Sequence, residues 1–373
     1  MASLVAFVGG LWVGTLTADI RLPFTGSGPL PVLDEAWTLV TEEFYGELPP
    51  AASLNRAAVR GLLESLQDPY TVLLDPELAQ QEQQRLSGRY GSVGVSLWWA
   101  EKDVVALTPY AEGPATAAGV RDGDRLIAID GTRLAAGASL EDVAAQLEGA
   151  VGTSVTLALL REPGEGEFTL TLTRAEVLQP SVEWRMIEGT DAIGYLRIRL
   201  FTVQTPVEAP QAVEALLQQG ARALVLDLRG NGGGMVADLD AIAGVFLPAG
   251  ETLYYDVSES EEREIQVSGA QLFTGPLMVL VDQATASTAE ILAAALYDHH
   301  RTLLIGAPTY GKSSIQALYP LKDGSLLHVT HAVWLTPARN RLDGVGLTPD
   351  IAVEPRPGAD QALQTAIEQL MAD

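Results

Sequence analysis

Residues 277–281 read Leu-Met-Val-Leu-Val, an apolar run with no alternation. A strand of this kind must be covered on both faces, which calls for a sheet flanked by helices. Residues 223–228, Ala-Leu-Val-Leu-Asp-Leu, repeat the pattern. After residue 281 the run breaks into small polar residues that include Ser287, and residues 288–297 then carry Ala289, Ile291, Leu292, Ala293, Ala294, Ala295 and Leu296, which favour helix. Ser287 therefore falls at or near a helix N-terminus, where unpaired N–H groups favour negative charge. Taken alone, such a serine is a cap.

A second loop changes its meaning. A strand expected at residues 302–305 leads to Gly311-Lys312, a lysine flanked by Tyr310 and Ser313 with no acidic neighbour beside it. Desolvation lowers an ammonium pKa, so a lysine in such a place can take the proton of a serine hydroxyl. Serine-lysine pairs are a variant of the serine-histidine-acid triad. The same loop, residues 306–313, also fits the phosphate-loop pattern G-x-x-x-x-G-K-[ST], with residues 224–227 as a candidate acidic strand for magnesium. A phosphate loop must open a helix. Here residues 313–319 are stopped by Pro320 after barely two turns, and residues 325–335 alternate like a strand, so nucleotide binding is not expected.

The segments Thr285-Ala-Ser-Thr-Ala-Glu-Ile291 and Tyr310-Gly-Lys-Ser-Ser-Ile-Gln316 resemble the active-site segments of carboxyl-terminal processing (tail-specific) proteases. The resemblance implies Ser287 as nucleophile, Lys312 as general base, and Gln316 as the residue that orients the lysine. Ser313 stands where that family often has glycine, and the residues before Ser287 are not its usual serine-rich run. Arg229-Gly-Asn-Gly-Gly-Gly234 follows the second buried strand. Small residues there permit unusual backbone angles and let N–H groups approach a substrate oxygen. By resemblance, the N–H groups of Gly233 and Thr288 form an oxyanion hole. Asp68-Pro-Tyr, physically a helix stop, and Gly344-Val-Gly-Leu-Thr-Pro-Asp350, read as structural, also match the family.

The 373 residues imply two or three domains. A formal charge of −25 argues against nucleic acid or anionic membrane surfaces as partners, and the lack of cysteine excludes disulfides and thiolate sites. Residues 1–18 carry no charge and read as a secretion or anchoring segment, with a short buried helix as the other reading and only a weak cleavage site at 15–18. Residues 19–87 form an N-terminal helical region in which Leu33, Trp37, Val40, Phe44 and then Leu54, Val59, Leu62, Leu66 recur at helical spacing. Residues 88–176 contain Gly119-Val-Arg-Asp-Gly-Asp-Arg-Leu-Ile-Ala-Ile-Asp-Gly131, which resembles PDZ domains. Ser139 to Asp142 make a capping-box-like start for a helix with Val143 and Leu147. The resemblance puts a peptide groove between that helix and the Val95 strand, with a C-terminal carboxylate held near Ser92, Val93 and Gly94. By the family resemblance, residues 177–373 are expected to form the serine protease core.

His299 and His300, beside Asp298, allow a triad only on paper, because they follow Ser287 by about three helical turns, roughly 17 Å. His328 and His331, three apart in an expected strand, point to opposite faces and do not share a metal.

The family resemblance thus implies a mixed α/β chain with a crotonase-like core, an inserted PDZ domain and an N-terminal helical segment. It implies protein or peptide substrates with free C-termini, no cofactor or metal, and a bacterial cell-envelope location, periplasmic or otherwise extracytoplasmic. Membrane anchoring through the N-terminus, a homo-oligomer and an activating partner stay open. A silent PDZ scaffold is the competing reading, and the intact trio Ser287, Lys312 and Gln316 argues against it.

Overall fold

The computed structural model describes residues 30–101, 104–135, 138, 140–161, 166–190, 192–354 and 360–372. The expected secretion or anchoring segment, 1–18, lies outside the described residues. The chain divides after Leu73 into two units. In the first, Pro31 opens the helix Pro31–Glu43 at a position where its missing N–H costs nothing, and a second helix spans Ala51–Glu64. The expected stop follows: the Asp68 carboxylate accepts from the Tyr70 N–H at 3.1 Å and the Thr71 hydroxyl at 2.6 Å.

The second unit opens with the helix Pro76–Leu86 and holds two further layers of interest. Its central sheet runs Val182–Met186, Ile193–Ile198, Ala223–Asp227, Leu277–Val281, Leu303–Gly306, Ile351–Ala352. Only the first pairing is antiparallel. The two apolar runs are buried throughout because each face meets its own helices. Leu224, Leu226, Leu277, Val279 and Val281 pack with the helices Thr205–Gln218 and Thr288–Asp298. Val225, Met278 and Leu280 pack with Ala362, Ala366 and Leu370, a stripe at four-residue spacing on the helix Gln361–Ala372. Because the strands are parallel, the loops after residues 227, 281 and 306 leave the same sheet edge, where open α/β sheets build their sites.

An antiparallel sheet contains the strands Ser314–Pro320, Leu326–Leu335, Thr252–Ser258 and Glu262–Gln266. The segment after Lys312, expected to continue as a loop, is therefore a strand. Its pairing with Leu326–Leu335 across a Lys322-Asp323-Gly324 turn supplies the hydrogen bonds that a short helix would have supplied locally. A phosphate loop's helix is absent from this position.

The inserted domain is an antiparallel sheet in the order Val95–Glu101, Val104–Pro109, Asp124–Ile129, Ser154–Arg161, Gly166–Thr173, with the helix Leu140–Leu147 against it. Its entry and exit strands, Arg89–Ser92 and Ala175–Leu178, pair with each other. Asp130-Gly131, both at positive φ, form the tight turn to Thr132–Arg133. Asp124, 1% exposed, accepts from the Arg161 Nε and Nη2 at 2.7 Å and from the Arg121 N–H at 2.8 Å. Burial alone would raise its pKa, but the Arg161 and Arg121 hydrogen bonds outweigh burial and hold it below the ordinary carboxylate value. Asp124→Asn takes from the largely buried Arg161 the charge that Asp124 supplies and is expected to destabilise the domain by about 3 kcal/mol at pH 7. A carboxylate with a depressed folded pKa contributes stability above its unfolded pKa and loses it as pH falls through the folded one. The gap between the two proteins in denaturant titrations should therefore shrink as pH falls below the ordinary aspartate value of about 3.9; a gap that stays constant as pH falls would show that the charge is not the cause.

Candidate active site

Three loops at the carboxyl edge of the central sheet are laced together by hydrogen bonds to their backbone groups. Asp282 Oδ1 accepts from the N–H groups of Ala284, Thr285 and Gly230, each at 3.0 Å. The Thr285 hydroxyl donates to the Leu228 carbonyl at 2.9 Å, and the Ala286 N–H donates to the Asn231 carbonyl at 2.9 Å. Two loops from neighbouring strands thus act as one body. Its base is the guanidinium of Arg229, whose Nη1 and Nη2 bridge Asp227 and Asp360 at 2.6–2.8 Å while the Tyr195 hydroxyl also donates to Asp227.

This scaffold holds Ser287 with φ 55° and ψ −121°, a strained conformation for a residue with a side chain, directly before the helix Thr288–Asp298. The helix places Glu290 one turn on, fully buried, where its carboxylate accepts four hydrogen bonds. Oε2 receives the Ser287 N–H and the Lys312 N–H, both at 2.9 Å. Oε1 receives the Gly311 N–H at 2.8 Å and the Thr309 hydroxyl at 2.5 Å. The serine and lysine backbones therefore lie no farther apart than two such bonds. Lys312 is half-buried, and its carbonyl accepts from the buried Trp334 indole at 3.0 Å. Ser313 is tied down as well: its hydroxyl accepts the Leu342 N–H at 2.9 Å. Gly346 lies against the Thr309 carbonyl, where a Cβ would come within 2.2 Å, so the 344–350 segment braces the lysine loop.

Gly233 lies against this turn. A Cβ there would stand 2.8 Å from the Ser287 Cβ and 2.9 Å from the Ala286 carbonyl, and the residue has φ 102°. Its N–H donates to Asn231 Oδ1 at 2.9 Å, while the Asn231 amide donates to the Ile198 carbonyl at 2.8 Å. The Gly233 N–H is thus engaged by that side-chain carbonyl. Gly233→Ala is expected to lower the thermal midpoint, because the added Cβ must push the Ser287 turn aside at a φ that alanine resists; an unchanged midpoint would show that the turn yields freely.

The peptidase family S41 model matches residues 192–353, and a PDZ domain model matches residues 105–174. The carboxyl-terminal-processing protease of Picosynechococcus sp. is 35% identical over 329 residues, 86% of this chain and 78% of that protein. The chloroplastic C-terminal processing peptidase of Tetradesmus obliquus is 35% identical over 315 residues, 80% of this chain and 68% of that protein. The chain belongs to the carboxyl-terminal processing proteases. The solved structure of a photosystem II D1 C-terminal processing protease covers 89% of each chain with a TM-score of 0.52 at 32% identity. The chain is thus a serine peptidase of family S41 with a PDZ domain, acting on protein substrates.

Within this protease the structure brings Ser287, Thr288, Gly233 and Lys312 to one place. Gln316 stands four residues beyond Lys312 on its strand, with its amide donating to the Thr330 hydroxyl at 3.3 Å. The residue that sequence reasoning passed over is Glu290. Its trace was present, since Ser287-Thr-Ala-Glu290 has the S-x-x-E spacing that brings a glutamate back to the helix start. What no spacing showed is the reach of that carboxylate to residues 309–312. His299 caps its helix and meets the Thr252 carbonyl at 2.7 Å. His328 lies 3.2 Å from Glu82, and His331 is exposed.

In the PDZ domain, a cleft runs between the edge strand Val95–Glu101 and the helix Leu140–Leu147, and Ser92, Val95, Leu97, Ala144, Leu147 and Glu148 line it. Val93 and Val143 are buried in the domain core beneath this cleft. The helix shows the groove its 144, 147 and 148 face, while Val143 points into the sheet. Gly94 sits close to Pro114 and to the side chain of Val177, at the end of the cleft where Ser92 lies.

Proposed function

We propose that Ser287 attacks the scissile carbonyl of a protein chain near its C-terminus while Lys312 takes the hydroxyl proton. The Gly233 and Thr288 N–H groups stabilise the oxyanion, Lys312 returns the proton to the leaving amine, and water then releases the acyl group from Ser287 by the reverse sequence. Gln316 positions the lysine. The observation that carries this reading is the single Glu290 oxygen on which the N–H groups of Ser287 and Lys312 meet. The groove of the PDZ domain takes the free C-terminus by strand addition to Val95–Glu101, its carboxylate near the N–H groups of Ser92, Val93 and Gly94. Cleavage of an unstructured reporter ending in an apolar tail tests both halves. Cutting is expected without ATP and should fall severalfold when the tail is amidated; equal cutting of both forms would separate the PDZ domain from substrate capture.

We also place the enzyme outside the cytoplasm of a bacterial cell, with residues 1–18 as the secretion or anchoring element. Their uncharged apolar character supports this. Cell fractionation of the full chain is expected to find it in the envelope, and recovery in the cytosol alone would overturn it.

A further inference from the structure

We propose that the edge strand Val95–Glu101 carries a second apolar subsite, built on Trp99, that reads the residue fifth from the end of a captured protein tail. The inference rests on the cleft being the tail-binding groove. Among the described residues Val95–Glu101 ends its sheet and pairs with Val104–Pro109 alone. Its other edge is where an extended chain can add. Side chains alternate along such a strand, and residues directly opposite share a face.

Leu97 is paired with Leu107 and Trp99 with Val105; Leu107 and Val105 are both in the core beneath the helix, so Val95, Leu97 and Trp99 share the groove face. Trp98 belongs to the other face, where its indole donates to the Thr108 hydroxyl at 3.2 Å. Val95 and Leu97 are covered by the domain and line the cleft, but Trp99 is 43% exposed and continues the same apolar row beyond it. An antiparallel tail with its carboxylate at Ser92 to Gly94 puts its last residue beside Val95, its third from last beside Leu97, and its fifth from last beside Trp99. A large aromatic side chain left half-open at that register offers an apolar partner of low conformational entropy.

The test uses the full-length Ser287→Ala protein, so that bound tails are not cut, and labelled peptides read by fluorescence anisotropy. The parent probe is Gly-Ser-Gly-Leu-Ser-Ala-Ala-Ala with a free carboxylate. Replacing its leucine by glycine, or moving it one place toward the C-terminus, is expected to weaken binding about tenfold, the effect of withdrawing one leucine from an apolar contact. Adding Trp99→Ala should shrink that difference to under twofold while leaving the glycine peptide's affinity unchanged. Trp98→Ala, an equally exposed tryptophan on the opposite face, should preserve it. The subsite is overturned, with tail capture intact, if the leucine and glycine peptides bind the parent protein equally or if Trp99→Ala keeps the tenfold gap. If the amidated probe binds as well as the free acid, tail capture itself fails and the subsite with it.

Discussion

Ser287→Ala and Lys312→Ala are each expected to leave less than about a thousandth of the wild-type kcat on a cleavable reporter, and the double variant should be no slower than either single one. Groups that act as a unit in one proton transfer are grossly non-additive, because removing either member abolishes the step that both perform. The residual rate comes from binding and from oxyanion donors that neither change removes. Tail binding and the thermal midpoint should stay near wild type in the Ser287→Ala protein, since the side chain is small and half-buried. The outcome that would sink the assignment is retention of activity in Lys312→Ala combined with its loss on substitution of His299 or His300.

Glu290→Gln should reduce kcat about 100-fold and lower the thermal midpoint by about 5 °C with KM little changed. The reason lies in the count of donors. The native carboxylate offers two acceptor oxygens, and each receives two hydrogen bonds. An amide keeps one acceptor. If it faces Ser287 and Lys312, its NH2 group confronts the Gly311 N–H, while the Thr309 hydroxyl can rotate to accept. One buried donor is then orphaned, at about 1–3 kcal/mol, which for a domain the size of the peptidase match at residues 192–353 moves the midpoint by about 2–4 °C per kcal/mol. The displaced residue adjoins Lys312, so the rate falls further than stability alone predicts. Glu290→Ala orphans all four donors and should yield little folded protein. Wild-type kinetics in Glu290→Gln would reduce Glu290 to a helix cap.

The two experiments divide the site along a line that the sequence also draws. Ser287 and the glycine loop were legible because each follows a strand whose uninterrupted apolar run announces burial on both faces, and Lys312 because its loop resembles the family's. The inserted domain was legible through its turns, where Asp130-Gly131 determines a local geometry without help from distant residues. The strand Ser314–Pro320 was not: it reads as part of the lysine loop, since seven residues ending in proline carry too little periodicity to mark a strand. Pairing with residues 326–335, a nonlocal contact, decided it.

By itself the sequence determined which segments are buried, which loops are built of small residues, and where a serine and a lysine follow strands. These follow from local sterics and from the period of apolar residues, both of which act over a few neighbours. Only the tertiary structure decided that Glu290 joins the serine turn to the lysine loop, that Asn231 holds the Gly233 N–H, and that Val143 turns into the core while Trp99 stays half-open on the groove face. Each of these depends on which strands become neighbours in a sheet, a choice made by the summed burial of the whole chain.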